Sequence, residues 1–579
     1  MTEALAPDLG RAIAARLAAL DRDRFVARLW ARDATLWSDD PAHHRVIANR
    51  LGWLDAPETM RLRRAEFAAF ADAAAREGFS RAILLGMGGS SLAPEVLRTS
   101  LGVATGRLDL AVLDDTSPEA VRAAAATYDP ARTLCVVSSK SGTTVEVASF
   151  ERFFFERARA ARGAEAGRAF VAITDPGTAL ERLARERDDR ALFAGIADVG
   201  GRYSALTPFG LVPAALIGAD LGAMLDAAER ELAPVRAGAP AAEVAGVRLG
   251  AALGELALAG RDKLTLILDP AIAALGSWIE QLIAESTGKS GKGIVPVVDE
   301  PPADAARYGV DRVFVAVGEA APDARDRLRA LADAGHPVIA SGAAPDGATT
   351  GGIAAALGAE FVRWEIATAT AAAILAIDAF DEPNVTEAKQ ATQAVLESVI
   401  ATGRFADEAP VAERGALRAF VPADPAARIA PSDASDPATW VTALAGLARP
   451  GDYVGLLAYV HRTPARHDRL QRLRAALGGD GRVAATLGYG PRYLHSTGQL
   501  HKGGPNTGVF LVITADEGEP LAIPGERFDF AALHRAQAAG DFATLARRGR
   551  RVARIHLGAD ADRGLDQLLA SVAARRAVG

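Results

Sequence analysis

Seven consecutive residues, Ser138-Ser139-Lys140-Ser141-Gly142-Thr143-Thr144, gather five hydroxyls, a glycine and a lysine at one point of the chain. The apolar run 133–137 before them reads as a buried strand, and 145–157 after them reads as a helix. Backbone N–H groups at a helix start lack intrahelical partners, and the helix dipole adds partial positive charge there. With hydroxyl donors added, such a turn suits a phosphate monoester. A single Ser or Thr would read as an ordinary helix cap, but five hydroxyls in seven residues favour an anion site.

A second loop, Gly86-Met87-Gly88-Gly89-Ser90-Ser91, also follows a strand and opens a helix. Its glycines let a ligand approach the backbone. A dinucleotide site is the alternative, since Asp114 and Asp115 follow the next strand, but serine replaces the third glycine of that fingerprint. Both loops fall at carboxyl ends of strands, where α/β sheets bind ligands. Arg202, in Gly200-Gly201-Arg202-Tyr203-Ser204, offers a permanent charge and a forked donor to an oxyanion, or is a surface arginine in a turn. Gln281 and Glu285 are four apart on one helical face. At a helix C-terminus the dipole raises the pKa of Glu285, which suits a general base; an exposed terminal glutamate is the plainer reading. A helix after Phe380-Asp381-Glu382-Pro383-Asn384 leads to Lys389, and a Gly/Pro-rich loop at 488–508 holds His495, Gln499 and His501. Cys135, the single cysteine, lies in an apolar strand and reads as core.

The elements around these residues alternate. Residues 1–75 read as an N-terminal helical segment, with helices at 21–31 and 57–76. Strands at 81–86, 108–113, 133–137 and 169–174, with helices between, define a first α/β domain at 76–235. Strands at 264–268, 295–298, 313–317, 338–340 and 361–364, closed by a helical run at 367–401, define a second at 236–401. An Ala/Pro/Asp-rich linker fills 402–438. A C-terminal α/β unit at 439–579 has strands at 453–459, 482–486, 509–514 and 552–555. The fold class is α/β, with doubly wound parallel sheets.

The chain has 579 residues, half of them hydrophobic, and a net charge of −7. That balance, 6% aromatics and the lack of a dense basic tract argue against a nucleic-acid partner. No apolar run reaches membrane-spanning length and no signal-peptide core is seen, so a soluble cytoplasmic protein is expected. The nine histidines are scattered, with no HxH, HExxH or paired CxxC, so no metal is expected.

Six blocks in order carry a family resemblance: GMGGSSLAPEVL from 86, SSKSGTTVEV from 138, GGRYSALTPFG from 200, ESTGKSGKG from 285, FDEPNVTEAKQ from 380 and HSTGQLHKGG from 495. Together they resemble glucose-6-phosphate isomerases with paired sugar-isomerase (SIS) domains. The likeness is strongest to the isomerase half of bifunctional transaldolase/glucose-6-phosphate isomerases. No transaldolase region precedes the motifs here, so the isomerase alone is expected. The resemblance implies interconversion of glucose 6-phosphate and fructose 6-phosphate, without cofactor, through a cis-enediol(ate). It matches Gly89, Ser90, Ser139, Lys140, Ser141, Gly142, Thr143 and Thr144 to the sugar-phosphate cradle and Gln281 to a substrate contact. It matches Glu285 to the proton-moving base, Arg202 to the enediolate stabiliser, and Lys389 and His495 to ring opening. In most of the family the histidine segment precedes the lysine segment; here the order is reversed, and His501 competes with His495. The resemblance implies a homodimer with a shared site; the alternative is a C-terminal unit supplying its histidine within one chain. A non-catalytic SIS regulator and an isomerase also accepting mannose 6-phosphate are the other functional readings.

Overall fold

The computed structural model of the chain describes residues 3–576 except 320, 343–344, 346–348 and 423–428. A two-residue strand, β1 (Glu3–Ala4), precedes helices Pro7–Arg22, Phe25–Trp30, Pro41–Ala48 and Ala56–Arg76. The first sheet follows: β2 (Arg81–Gly86), β3 (Asp109–Leu113), β4 (Thr133–Ser138), β5 (Phe170–Thr174) and β6 (Ala191–Ala194), all parallel, in the order β3-β2-β4-β5-β6. β4 and β5 are buried along their whole length, as strands covered on both faces must be.

The second sheet contains β7 (Lys263–Leu268), β8 (Val295–Val297), β9 (Arg312–Val317) and β10 (Val338–Ser341), in the order β8-β7-β9-β10. The N-terminal β1 pairs antiparallel with β10 at its edge. The third sheet contains β11 (Ala412–Arg414), β12 (Leu417–Phe420), β13 (Tyr453–Tyr459), β14 (Ala484–Tyr489), β15 (Gly508–Thr514) and β16 (Arg551–His556). Its order is β14-β13-β15-β16-β12-β11, parallel from β14 to β16 and antiparallel beyond. Numbered within each sheet, the first four parallel strands run 2-1-3-4 in all three. One apolar core joins the N-terminal helices to the first two sheets, and separate clusters cover the two faces of the third.

Several local expectations change. Residues 361–364 are not a strand: they lie inside the helix Thr350–Ile374. That helix is buried almost all round, so it shows no 3.6-residue stripe, and Phe361-Val362-Arg363-Trp364 imitates a strand. Two of its three charged residues are paired, Arg363 meeting Glu360 one turn back and Glu231 on a neighbouring helix, while burial pushes the Glu365 carboxyl up. The expected helical run at 367–401 is therefore two helices, the second Pro383–Thr402, broken at 375–382. Within 402–438, the segment read as a linker, β11 and β12 form a hairpin on the third sheet; the 423–428 part lies outside the described residues. Gly415 turns that hairpin at φ +63°. The expected helix at 21–31 is interrupted at 23–24, where the helix Pro7–Arg22 ends and Phe25–Trp30 begins, and β6 was not expected.

Candidate functional site

The hydroxyl-rich turn sits where β4 meets the helix Val145–Arg162. Gly142 turns the chain at φ +64°, and its N–H donates to Ser139 Oγ at 3.2 Å. Ser141 Oγ accepts from the Thr143 N–H at 3.3 Å and from its hydroxyl at 3.1 Å. Thr144, the N-cap residue, makes no side-chain capping bond; its hydroxyl lies 3.2 Å from Ser139 Oγ. The turn is thus not an ordinary cap. Lys140 departs from its expected place in the cradle: its ammonium donates to Asp175 and to the Ile196 carbonyl, at the latter over 3.1 Å. Burial lowers the Lys140 pKa, against the pull of Asp175.

The glycine loop is packed to contact. A Cβ at Gly89 would collide with the Gly201 carbonyl, and one at Gly88 would stand only 2.7 Å from the His495 carbonyl and 3.0 Å from Gln281 Nε2. This tightness brings the loops at 88–90, 201–203 and 492–495 together. Ser90 is buried in the loop, and its carbonyl accepts from Ser138 Oγ at 3.1 Å.

Glu285 lies in the last turn of the helix Leu275–Thr287 and is buried. Gln281, one turn earlier, donates from Nε2 to Glu285 Oε2 at 3.0 Å and to the His495 carbonyl at 2.8 Å. Arg202 Nη1 lies 3.3 Å from Glu285 Oε1 and 3.2 Å from Glu382 Oε2. Its other donors reach Ser286 Oγ (2.8 Å) and the carbonyls of Ala379 (2.6 Å) and Asp381 (3.0 Å). Burial pushes the Glu285 carboxyl above its ordinary pKa and outweighs Arg202; Glu382 adds to the rise. Burial opposes the charge of Arg202, but Glu285 and Glu382 overcome it and hold the guanidinium protonated.

His495 points its Nε2 at Glu146 Oε1, 3.0 Å away in the first turn of the helix after the hydroxyl turn. Gln537 Nε2 donates to the same oxygen at 2.7 Å, and Thr116 donates to Gln537 Oε1 at 2.7 Å. Burial would raise the Glu146 carboxyl; His495, and Lys389 beyond it, bring it below its ordinary value. His501 is elsewhere, fully buried with its Nδ1 3.0 Å from the Tyr453 hydroxyl and its ring 4.9 Å from that of Phe510. Residues 488–508 are not a long loop: β14, a short helical turn Arg492–His495 and a helix Gly498–Gly503 occupy them. Gln499 pins this segment to the Glu285 and Lys389 helices, donating to the Gly288 carbonyl at 3.0 Å and accepting from the Asn384 N–H at 2.9 Å.

A cavity of about 390 Å³ gathers Thr143, Thr144, Glu146, Lys389, His495 and Gln537 on its wall. Glu285 and Arg202 stand beyond that wall, joined to it through Gln281 and His495. Asp114, the candidate ribose acid, accepts instead from Ser91 Oγ at 3.1 Å and lies 3.3 Å from Arg492. Cys135 is buried in β4, where burial pushes its thiol pKa up. Sequence reasoning missed Glu146, Gln537 and Glu382. An acid in a first helical turn is common, so Glu146 carried no distinct signal; Gln537 meets Glu146 only through the fold. Among the described residues no three His, Cys, Asp or Glu side chains converge as metal ligands, and no helix is long and apolar enough to cross a membrane.

Fold and site thus define an α/β protein with a hydroxyl-rich turn on a cavity that His495 also lines, and a buried carboxylate and arginine behind that wall. Residues 69–300 match the model of the phosphoglucose isomerase family. A glucose-6-phosphate isomerase of Thermus thermophilus is 33% identical over 260 residues, 43% of this chain and 60% of that protein. One of Symbiobacterium thermophilum is 34% identical over 287 residues, 44% of this chain and 60% of its own length. The match thus spans about 60% of these relatives. The crystal structure of a hypothetical protein from Thermus thermophilus overlays with a TM-score of 0.56 at 26% identity, covering 67% of this chain and 97% of that one. The resemblance to glucose-6-phosphate isomerases read from the motifs stands.

Proposed function

We propose that the chain is a metal-independent aldose–ketose isomerase that interconverts glucose 6-phosphate and fructose 6-phosphate. The observation that carries this reading is the bridge by which Gln281 joins Glu285 to His495, while His495 meets Glu146 two residues beyond the hydroxyl turn. The hydroxyls of Ser139, Ser141, Thr143 and Thr144, with the open N–H groups of the helix start, hold the phosphate. Lys140 stiffens the turn through Asp175 rather than touching the ligand. Fixing the phosphate places the sugar carbons beside Glu285, so binding energy becomes orientation.

Lys389 and His495 open the ring, with Glu146 accepting from or charging the imidazole and Gln537 steadying Glu146. Glu285, deprotonated and made more basic by burial, takes the proton alpha to the carbonyl and returns it to the neighbouring carbon. Arg202 faces the negative oxygen that develops. Its Nη1 is shared between Glu285 and Glu382, so Glu382 must yield that donor as the enediolate forms. We read the site as self-contained, because His495 and Glu146 meet within one chain. The test is a coupled assay of the purified chain: fructose 6-phosphate should yield glucose 6-phosphate, detected with a dehydrogenase, with or without EDTA. No product at any substrate concentration would reject the reading in favour of a sugar-phosphate binder.

A further inference from the structure

A second cleft, about 780 Å³, opens away from the first. It lies against the third sheet, between β12, β16, the helix Phe530–Arg547 and the segment at 404–408. Four arginines line it: Arg418 on β12, Arg554 on β16, Arg535 on the helix and Arg404 in the segment beside them. The side chains of Arg418 and Arg535 make no hydrogen bond or ion pair among the described residues, whereas Arg404 pairs with Asp407 at 2.9 Å and the other carboxylates on the same wall are engaged as well. Asp516 accepts from or pairs with His556, Glu517 does so with His534, and Asp529 caps the helix through the Ala532 N–H. Arg554 pairs with Glu408, a half-exposed carboxylate from the neighbouring segment, and its own Nε is buried without a partner.

The guanidinium faces are also prepared. Arg535 lies 4.1 Å over the Phe405 ring and Arg554 lies 4.1 Å over Phe420. Stacking fixes the plane of a guanidinium and leaves its edge donors pointing outward. Burial lowers the pKa of Arg554 against the pull of Glu408, and Arg535 and Arg418 add smaller lowering effects. The lining carries four arginines and five carboxylates, so the unpaired edge donors of Arg418 and Arg535, rather than a surplus of positive charge, are what an external oxyanion meets.

We propose that this cleft is a binding site for a small, multiply charged phosphate compound, received by Arg418, Arg535 and Arg554 and normally screened by the Glu408 carboxylate. Glu408 shows how an oxyanion is taken up there, and the ligand displaces it. The site is separate from the hydroxyl turn and does not depend on the isomerase reading.

The test is calorimetric titration of the full chain with pyrophosphate at low ionic strength. Two classes of site are expected, one in each cleft. Arg418→Gln/Arg535→Gln should weaken one class by at least about tenfold, as loss of charge-assisted bonds does. It should leave the other class, and any turnover of fructose 6-phosphate, unchanged. Glu408→Gln should tighten the same class by roughly threefold, the scale of an exposed ion pair. Arg535 is exposed, so Arg535→Gln alone serves if the double variant melts early. Unaltered binding in the arginine variants overturns the proposal, as does an equal loss in an Arg11→Gln control. A chain without isomerase activity that still shows this binding would retain it.

Discussion

The first and third sheets share a 2-1-3-4 strand order, yet their carboxyl edges hold opposite chemistry. Beyond β2 and β4, the first presents glycines and hydroxyls, an uncapped helix start and a lysine turned aside. Beyond β13 and β15, a crevice of about 320 Å³ is lined by His461, His534 and Glu517 instead. There His534 is buried with its Nδ1 2.7 Å from Glu517 and its Nε2 3.9 Å from Asp115, and His461 lies 3.3 Å from Asp115. Internal ion pairs occupy the place where the first sheet has a helix start without a side-chain cap. Strand order offers the position of a site; loop residues decide whether it stays open to a ligand or becomes a weld between units.

The largest effect expected of that difference is at the first sheet. Glu285→Gln should lower kcat by about 10²–10⁴-fold, the usual contribution of a positioned base. Inhibition by inorganic phosphate should be unchanged, because the turn is intact; near-normal turnover would remove Glu285 from the chemistry. Ser141→Ala/Thr143→Ala should raise KM by about tenfold with a smaller change in kcat, as lost hydrogen bonds to a charged group do.

At the third sheet the expectation is stability without activity. Burial opposes the charge of His534, but Glu517 and Asp115 raise its pKa to about 9, above the unfolded value near 6.5. A group raised on folding contributes stability that is complete below the unfolded pKa and lost as pH rises through the folded one. His534→Gln should therefore leave turnover intact. Its stability deficit in urea titrations should be largest below about pH 6.5 and shrink through about pH 9. A deficit independent of pH would make the pair a packing feature only.

The smallest effect sharpens the electrostatics of the first site. Glu285 must be deprotonated to act, so kcat/KM should fall on the acid side at a pH above that of an ordinary carboxylate. Glu382→Gln removes a neighbouring negative charge and should move this acid limb to lower pH. A limb that stays in place would mean that burial alone sets it.

Much of this architecture is legible in the residues. The strand at 81–86 appears with the expected bounds, as does the one at 453–459, because short apolar runs ended by Gly, Pro or polar loops have few other solutions. The turn at 138–144 announced itself by composition. The helix at 350–374 did not, since burial on every side erases its periodicity, and neither did the hairpin at 412–420, whose short charged strands look like linker. Within the site, Gln281 and Glu285 were visible as a one-turn pair. The contact of His495 with Glu146, 349 positions apart, depends on the third sheet docking against the first. The engagement of Lys140 by Asp175 and of Arg202 by Glu382 is likewise tertiary, and it changes what those two cations are free to do.

The central claim is that one chain brings the hydroxyl turn, Glu285 and His495 into a single working site. Mixing separately purified His495→Ala and Glu285→Gln variants, each strongly impaired alone, tests it most directly. The mixture should show no more turnover than the two variants do separately, at every ratio, because each chain lacks one member of its own set. Recovered turnover would show that the histidine of one chain serves the carboxylate of another, and would contradict it.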